Sequence, residues 1–194
     1  MQEQSSRGAW RLGRRSLLRA MLALAPWAVV RARADDPPDP TSMHPQIGDH
    51  LVFFDGPNDG KPIRVADLEL GGPQVQAYPA DPKGLLRDNS RLNLIIVARV
   101  GEDGLSDETR ANAADGVVAY SGVCTHQSCP VNMWSTERKS FVCSCHGSIY
   151  DPKNDADILF GPAPRHLAAL PLKSENGLLI VAGPFNRRLG GEKG

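Results

Sequence analysis

The sequence has few aromatic residues, no apolar run long enough to cross a bilayer, and no excess of charge of either sign. Aromatics make up only 6% of the 194 residues, while Gly and Pro number 19 and 16. That balance favours short strands and frequent turns. The uninterrupted apolar run Ala20–Val30 is 11 residues long and contains Pro26. A spanning helix needs about 20 apolar residues, so a polytopic membrane protein is excluded. Hydrophobic and charged fractions of 41% and 23% are those of a globular chain, not of a disordered or collagen-like one. No internal repeat is present, and no βαβ pattern that would call for a parallel sheet. Lys plus Arg and Asp plus Glu each total 22, but seven Arg and one Glu fall in residues 1–34. The remaining 160 residues hold 15 basic and 21 acidic side chains, a formal net charge of −6. A body of that sign is ill suited to nucleic acid, which is bound by cationic neutralisation of phosphates.

Residues 1–34 read as an address. A basic stretch ends in Arg14-Arg15-Ser16-Leu17-Leu18-Arg19, the apolar run follows, and Ala32-Arg33-Ala34 has the small-x-small form of a cleavage site. The paired arginines look like a twin-arginine signal, the kind that exports chains already folded. The expected location is therefore periplasmic. Cleavage and retention as a membrane anchor are the two fates; the short run bracketed by Arg19, Arg31 and Arg33 favours cleavage. Membrane association is then expected only through a partner complex or an uncleaved signal. An oxidising destination also permits disulfides.

In the mature chain, residues 35–48 are rich in Pro and Asp and read as an extended linker. Residues 49–194 are expected to form one domain. Short apolar runs separated by turn residues predict strands at His50–Phe54, Leu92–Val100, Val117–Tyr120, Ser140–Val142, Asp157–Phe160, Leu167–Leu172 and Leu178–Val181. Ser106–Ala114 is the one stretch of helical composition, with Ser106 as its N-cap. Many short strands and no crossover helices predict an all-β, antiparallel sandwich or barrel.

All four cysteines lie within 22 residues and two of the five histidines lie among them: Cys124-Thr125-His126-Gln127-Ser128-Cys129, then Cys143-Ser144-Cys145-His146-Gly147-Ser148. Two structural disulfides would account for the even count but not for the histidines. A zinc site of two Cys and two His fits the ligand types but not the usual pairing of Cys with Cys and His with His, and leaves two cysteines over. A two-iron, two-sulfide cluster with two Cys on one iron and two His on the other fits the mixed pairs.

The two motifs, CTHQSC and CSCHGS, resemble those of Rieske proteins that carry a loop-bridging disulfide, among them the iron–sulfur subunits of cytochrome bc complexes. The resemblance covers roughly residues 90–182. It implies one [2Fe-2S] cluster held by Cys124, His126, Cys143 and His146, with Cys129 and Cys145 joined as a disulfide. It implies a Rieske-type antiparallel β sandwich or barrel with a small cluster-binding subdomain at about residues 117–165. His146-Gly147-Ser148-Ile149-Tyr150-Asp151 is similar to the family's HGSxYD, which implies that Ser148 donates to a bridging sulfide and Tyr150 to Cys124. Gly161-Pro162-Ala163-Pro164 matches the family's cluster-covering loop, so Gly161, Pro162 and Pro164 are expected beside the cluster. Three positions depart from the pattern: Gln127 stands for the usual Leu, Ser128 for Gly and Ser144 for Pro.

Charge counting explains the ligand set that the resemblance implies. Two ferric ions, two sulfides and two thiolates sum to zero with neutral imidazoles, so an added electron meets a neutral centre. Four thiolates would present −2 instead, which is why Rieske centres have the higher potentials, about −150 to +300 mV against about −400 mV. The implied function is a one-electron relay, an oxidoreductase-complex subunit not catalytic alone. It would take electrons from quinol or a partner dehydrogenase and pass them to a c-type cytochrome. A small Rieske subunit of an arsenite-oxidase-type molybdenum enzyme is the neighbouring alternative, and a non-redox zinc- or disulfide-stabilised binding domain is the alternative of a different class.

Overall fold

Strand β3 (Ile95–Arg99) is apolar at four successive positions because both of its faces are covered. Side chains alternate across a strand. Ile96 and Ala98 enter one hydrophobic core, while Ile95 and Val97 enter another on the opposite face. Its neighbour β4 (Val117–Ser121) divides in the same way: Val118 and Tyr120 go to the first core, Val117 and Ala119 to the second. The computed structural model describes residues 39–191. The expected signal segment, residues 1–34, lies outside the described residues.

The other strands are β1 (His50–Phe53), β2 (Val75–Ala80), β5 (Val131–Ser135), β6 (Ser140–Cys143), β7 (Ile149–Asp151), β8 (Asp157–Phe160), β9 (Leu172–Glu175) and β10 (Leu178–Val181). They form two antiparallel sheets, one of six strands in the order β4-β3-β2-β1-β10-β9 and one of four in the order β5-β6-β7-β8. The fold is thus all-β. The first core lies where β3 and β4 meet the smaller sheet. Phe141 of β6 is fully buried there, edge-on to Tyr120 at 5.9 Å between ring centres and to Trp134 at 5.7 Å. The helix α1 (Asp107–Asn112) starts where expected: the Ser106 hydroxyl accepts from the Thr109 amide at 3.2 Å.

Leu167–Leu172 differs from expectation. It lies along β4 through single bonds, with the Leu170 amide donating to Ala119 O and the Ser121 amide to Ala168 O. Pro171 has no N–H to continue a ladder, and regular pairing resumes only at Leu172. Strand β2 was hidden by the opposite effect. Pro79 stands opposite Leu51 in β1. Leu51 O accepts from the Ile63 amide and Pro79 O from the Arg87 amide, so both residues turn their backbone polar groups away from each other. A proline at such a non-hydrogen-bonded pair costs no ladder bond.

The described part of the linker is non-helical but tied down. Arg87 pairs with buried Asp49 at 2.7 Å and also donates to Pro40 O. Asn93 donates to Met43 O, and His44 Nδ1 lies 3.0 Å from the Asn93 side-chain oxygen. Among the described residues no helix is long and apolar enough to cross a membrane.

Because Phe141 joins Tyr120 to Trp134 at the centre of the first core, Phe141→Ala should cost about 3–5 kcal/mol of stability in denaturant titrations. Phe141→Leu should cost markedly less.

Candidate metal centre

Two loops of the same construction stand side by side. The first follows β4. The Cys124 amide donates to Cys129 O at 2.8 Å, and the Ser128 amide returns to Cys124 O at 3.0 Å. The second joins β6 to β7. The Cys143 amide donates to Ser148 O at 2.9 Å, and the Gly147 amide returns to Cys143 O at 3.1 Å. In both, a cysteine opens the loop, its N–H reaches the residue five ahead, and the residue four ahead is left-handed. That residue is Gly147 (φ +69°) in one loop and Ser128 (φ +58°) in the other. Glycine takes that conformation freely, whereas a residue with a Cβ is strained by it, which gives the departure at Ser128 a structural meaning.

The loops are joined by a disulfide between Cys129 and Cys145, 16 residues apart in sequence, with their Cα atoms 6.3 Å apart. This leaves Cys124 and Cys143 as free, buried thiols, near enough that Cys124 adds to burial in raising the Cys143 thiol pKa. His126 and His146 face each other, edge to face, with ring centres 4.8 Å apart. The four side chains therefore divide into a thiol pair and an imidazole pair. Among the described residues, no three His, Cys, Asp or Glu side chains converge on a single metal position.

The surroundings are built around these pairs. The fully buried Tyr150 places its hydroxyl 3.2 Å from Cys124 Sγ, and the Thr125 amide donates to that hydroxyl at 3.4 Å. Burial pushes the Tyr150 phenol well above the ordinary tyrosine range, and contact with Cys124 adds to the rise. It is thus a protonated donor throughout the neutral range. Burial likewise pushes the Cys143 thiol up. Ser148 is fully buried, and its hydroxyl oxygen accepts from the Ala163 amide at 3.2 Å, leaving its own proton for another acceptor. Gly161 has φ +97°, and a Cβ there would lie 2.6 Å from Ser148 Cα. Only glycine lets this loop close on Ser148, with Pro162 and Pro164 on its exposed side.

Nδ1 of His126 is buried with no hydrogen-bond partner. Buried polar atoms are nearly always satisfied, so this nitrogen is a donor atom left free for a ligand. An imidazole nitrogen turned inward beside a second imidazole and two buried thiols is a donor set of the right chemistry for an iron–sulfur cluster.

Sequence reasoning did not find Thr125, whose hydroxyl donates to Arg165 O at 2.6 Å and so ties the first loop to the chain beyond Pro164. Nor did it find Arg91, which donates to Ser128 O at 2.7 Å. Neither contact has a local sequence signal, since 40 and 37 residues separate the partners.

Fold and site together define an all-β iron–sulfur protein, and the comparisons agree. Residues 96–171 match the Rieske [2Fe-2S] domain, so this part of the chain is a Rieske domain, the kind that carries a Rieske [2Fe-2S] cluster. It is similar to the cytochrome bc1 complex Rieske iron–sulfur subunit of Streptomyces coelicolor, 27% identical over 92% of this chain and 53% of that one. The subunit of the same name from Streptomyces lividans is 28% identical over 69% of this chain and 81% of that one. The chain thus spans about half the length of the first of these relatives. Among solved structures, the plasma membrane Rieske protein PetC3 of Synechocystis PCC 6803 aligns over 62% of this chain and 95% of that one, with 25% identity and a TM-score of 0.43.

The disulfide is the covalent link between the two loops. A closed loop of about 15 residues is worth roughly 3 kcal/mol in the chain-entropy treatment. Cys129→Ser should therefore lower the unfolding midpoint by a corresponding amount while leaving the far-ultraviolet spectrum of the folded protein unchanged.

Proposed function

We propose that Cys124 and Cys143 ligate one iron of the cluster and His126 and His146 the other, and that the protein is the iron–sulfur subunit of a respiratory complex of the quinol–cytochrome c reductase kind. The observation that carries this reading is the split donor set. Two buried free thiols lie in each other's electrostatic reach, two imidazoles face each other, and both pairs are delivered by loops that a disulfide joins. The names of the bc1 relatives support the choice of complex. On this reading the donor is quinol or a partner dehydrogenase, the acceptor is a c-type cytochrome, and the domain works on the periplasmic side of the membrane.

When bound, the cluster supplies one-electron chemistry in the range of about −150 to +300 mV. The chain's residues set where in that range it falls. Tyr150 offers its proton to Cys124 Sγ, and the free proton of Ser148 points the same preference toward a sulfide: both favour the state with more electron density on sulfur. His146 is exposed, so its ring can exchange a proton with solvent or a docked partner. With Nδ1 of His126 turned inward, Nε2 is the ring position left to carry its proton. The Gly161–Pro164 loop keeps water from Ser148, and the two exposed prolines stiffen it.

Two sets of variants test this reading. His146→Ala should leave folded protein that lacks the two-iron electron-spin signal of the wild type; normal iron and sulfide content would contradict the ligand assignment. Ser148→Ala and Tyr150→Phe should retain the cluster but lower the midpoint potential. A hydrogen bond to a charged acceptor contributes on the order of 1.5–3 kcal/mol, and only its difference between redox states is read. With about 59 mV for each tenfold change in equilibrium, each variant should fall by several tens of millivolts. The double variant should fall by about the sum. Unchanged midpoints in both single variants would contradict the assigned donors.

A further inference from the structure

We infer that the C-terminal segment Asn186–Gly191 is a strap that positions the first loop, with Ser128 as its latch; this rests on His126 being a cluster ligand. The segment crosses the site held by side chains along its whole length. Asn186 exchanges two bonds with Ala169, its amide donating to Ala169 O at 3.0 Å and its side-chain oxygen accepting from the Ala169 amide at 2.7 Å. Arg187 makes a bidentate pair with the buried Asp155 carboxylate. Arg165, next after the covering loop, donates to the carbonyls of both Arg188 and Gly190. The last described residue, Gly191, donates its amide to the Ser128 hydroxyl at 2.7 Å.

The contact at the far end is close enough to demand glycine twice. A Cβ on Gly190 would sit 2.7 Å from Ser128 Oγ, and one on Gly191 would fall on the His126 carbonyl, 2.8 Å from its carbon. The strap therefore lies directly on the peptide that carries the His126 ring. Arg91 grips the same point from the other side through Ser128 O. Ser128 is a positioning residue: it touches no donor atom of the cluster, yet it links the His126 peptide to the strap, to Arg165 and so to the covering loop.

This explains a serine at a left-handed position whose counterpart in the second loop is glycine. The hydroxyl returns, through the strap, what the Cβ costs. The two contributions oppose each other in one substitution. Ser128→Gly removes the strained Cβ, which by itself stabilises the loop, and also removes the latch.

Ser128→Gly, Ser128→Ala and Ser128→Asn should be compared with wild type by hydrogen exchange and by electron-spin spectra and iron release of the loaded protein. The strap predicts that the Gly and Ala variants both exchange the Gly191 amide faster, by about five- to tenfold for one ordinary hydrogen bond. Both should also release iron faster on warming and show a shifted spectrum. Asn, which tolerates the left-handed conformation and keeps an acceptor, should restore most of each. A chain ending at Leu189, which lacks the Gly191 amide, should match Ser128→Ala in iron release and spectrum. The inference is overturned if Ser128→Gly holds its cluster as long as wild type or longer, with the same spectrum. Wild-type protein that never shows a two-iron signal would instead defeat the ligand assignment, and the exchange of Gly191 alone would then decide whether the strap exists.

Discussion

Each loop of the site is closed by one bond from a cysteine amide to a carbonyl five residues on: Cys124 to Cys129 and Cys143 to Ser148. These two bonds spend the backbone polarity of the cysteines inside their own loops, so the thiols can be buried without orphaned amides around them. They also set the residue four after each opening cysteine in the left-handed region, and they bring Cys129 and Cys145 within reach of a disulfide. The thiol pair, the imidazole pair and the covering loop all take their places from this closure.

The two sheets serve that arrangement. The first loop leaves the end of β4, whose side chains face two cores, and the second leaves β6, which Phe141 locks to Tyr120 and Trp134. A site held on the ends of buried strands keeps its geometry better than one on free loops, which matters for a centre whose oxidation states differ by a single electron. Tyr150 and Ser148 sit on or beside β7 for the same reason. Their hydroxyls reach the loops from a rigid base, fully buried, with no water to compete.

Much of this was legible in the sequence. The alternation of Cys and His from Cys124 to His146 pointed to a split ligand set, and the Ile-, Val- and Leu-rich run Leu92–Val100 predicted a strand, which β3 occupies at Ile95–Arg99. The strands Asp157–Phe160 and Leu178–Val181 and the Ser106 cap lie where turn and cap chemistry placed them. What was not legible depended on partners distant in sequence. Strand β2 carries Pro79, whose tolerance rests on its pairing with Leu51, 28 residues away in sequence, where its missing N–H faces no acceptor. Leu167–Leu172 looked like a strand by composition, but its backbone bonds fall singly along β4 and Pro171 cuts the ladder. The departure at Ser128 was visible as a departure, but its compensation by Gly191, 63 residues on, could be seen only in the fold.

The central claim is that the irons are unlike because their protein ligands are unlike. Mössbauer spectra of reduced protein grown on isotopically enriched iron test it most directly. The account predicts two components of equal intensity, one ferric and one ferrous, with the ferrous one carrying the larger isomer shift of nitrogen ligation. Two irons with matching sulfur-type parameters, or a single zinc ion per chain in place of iron, would contradict it.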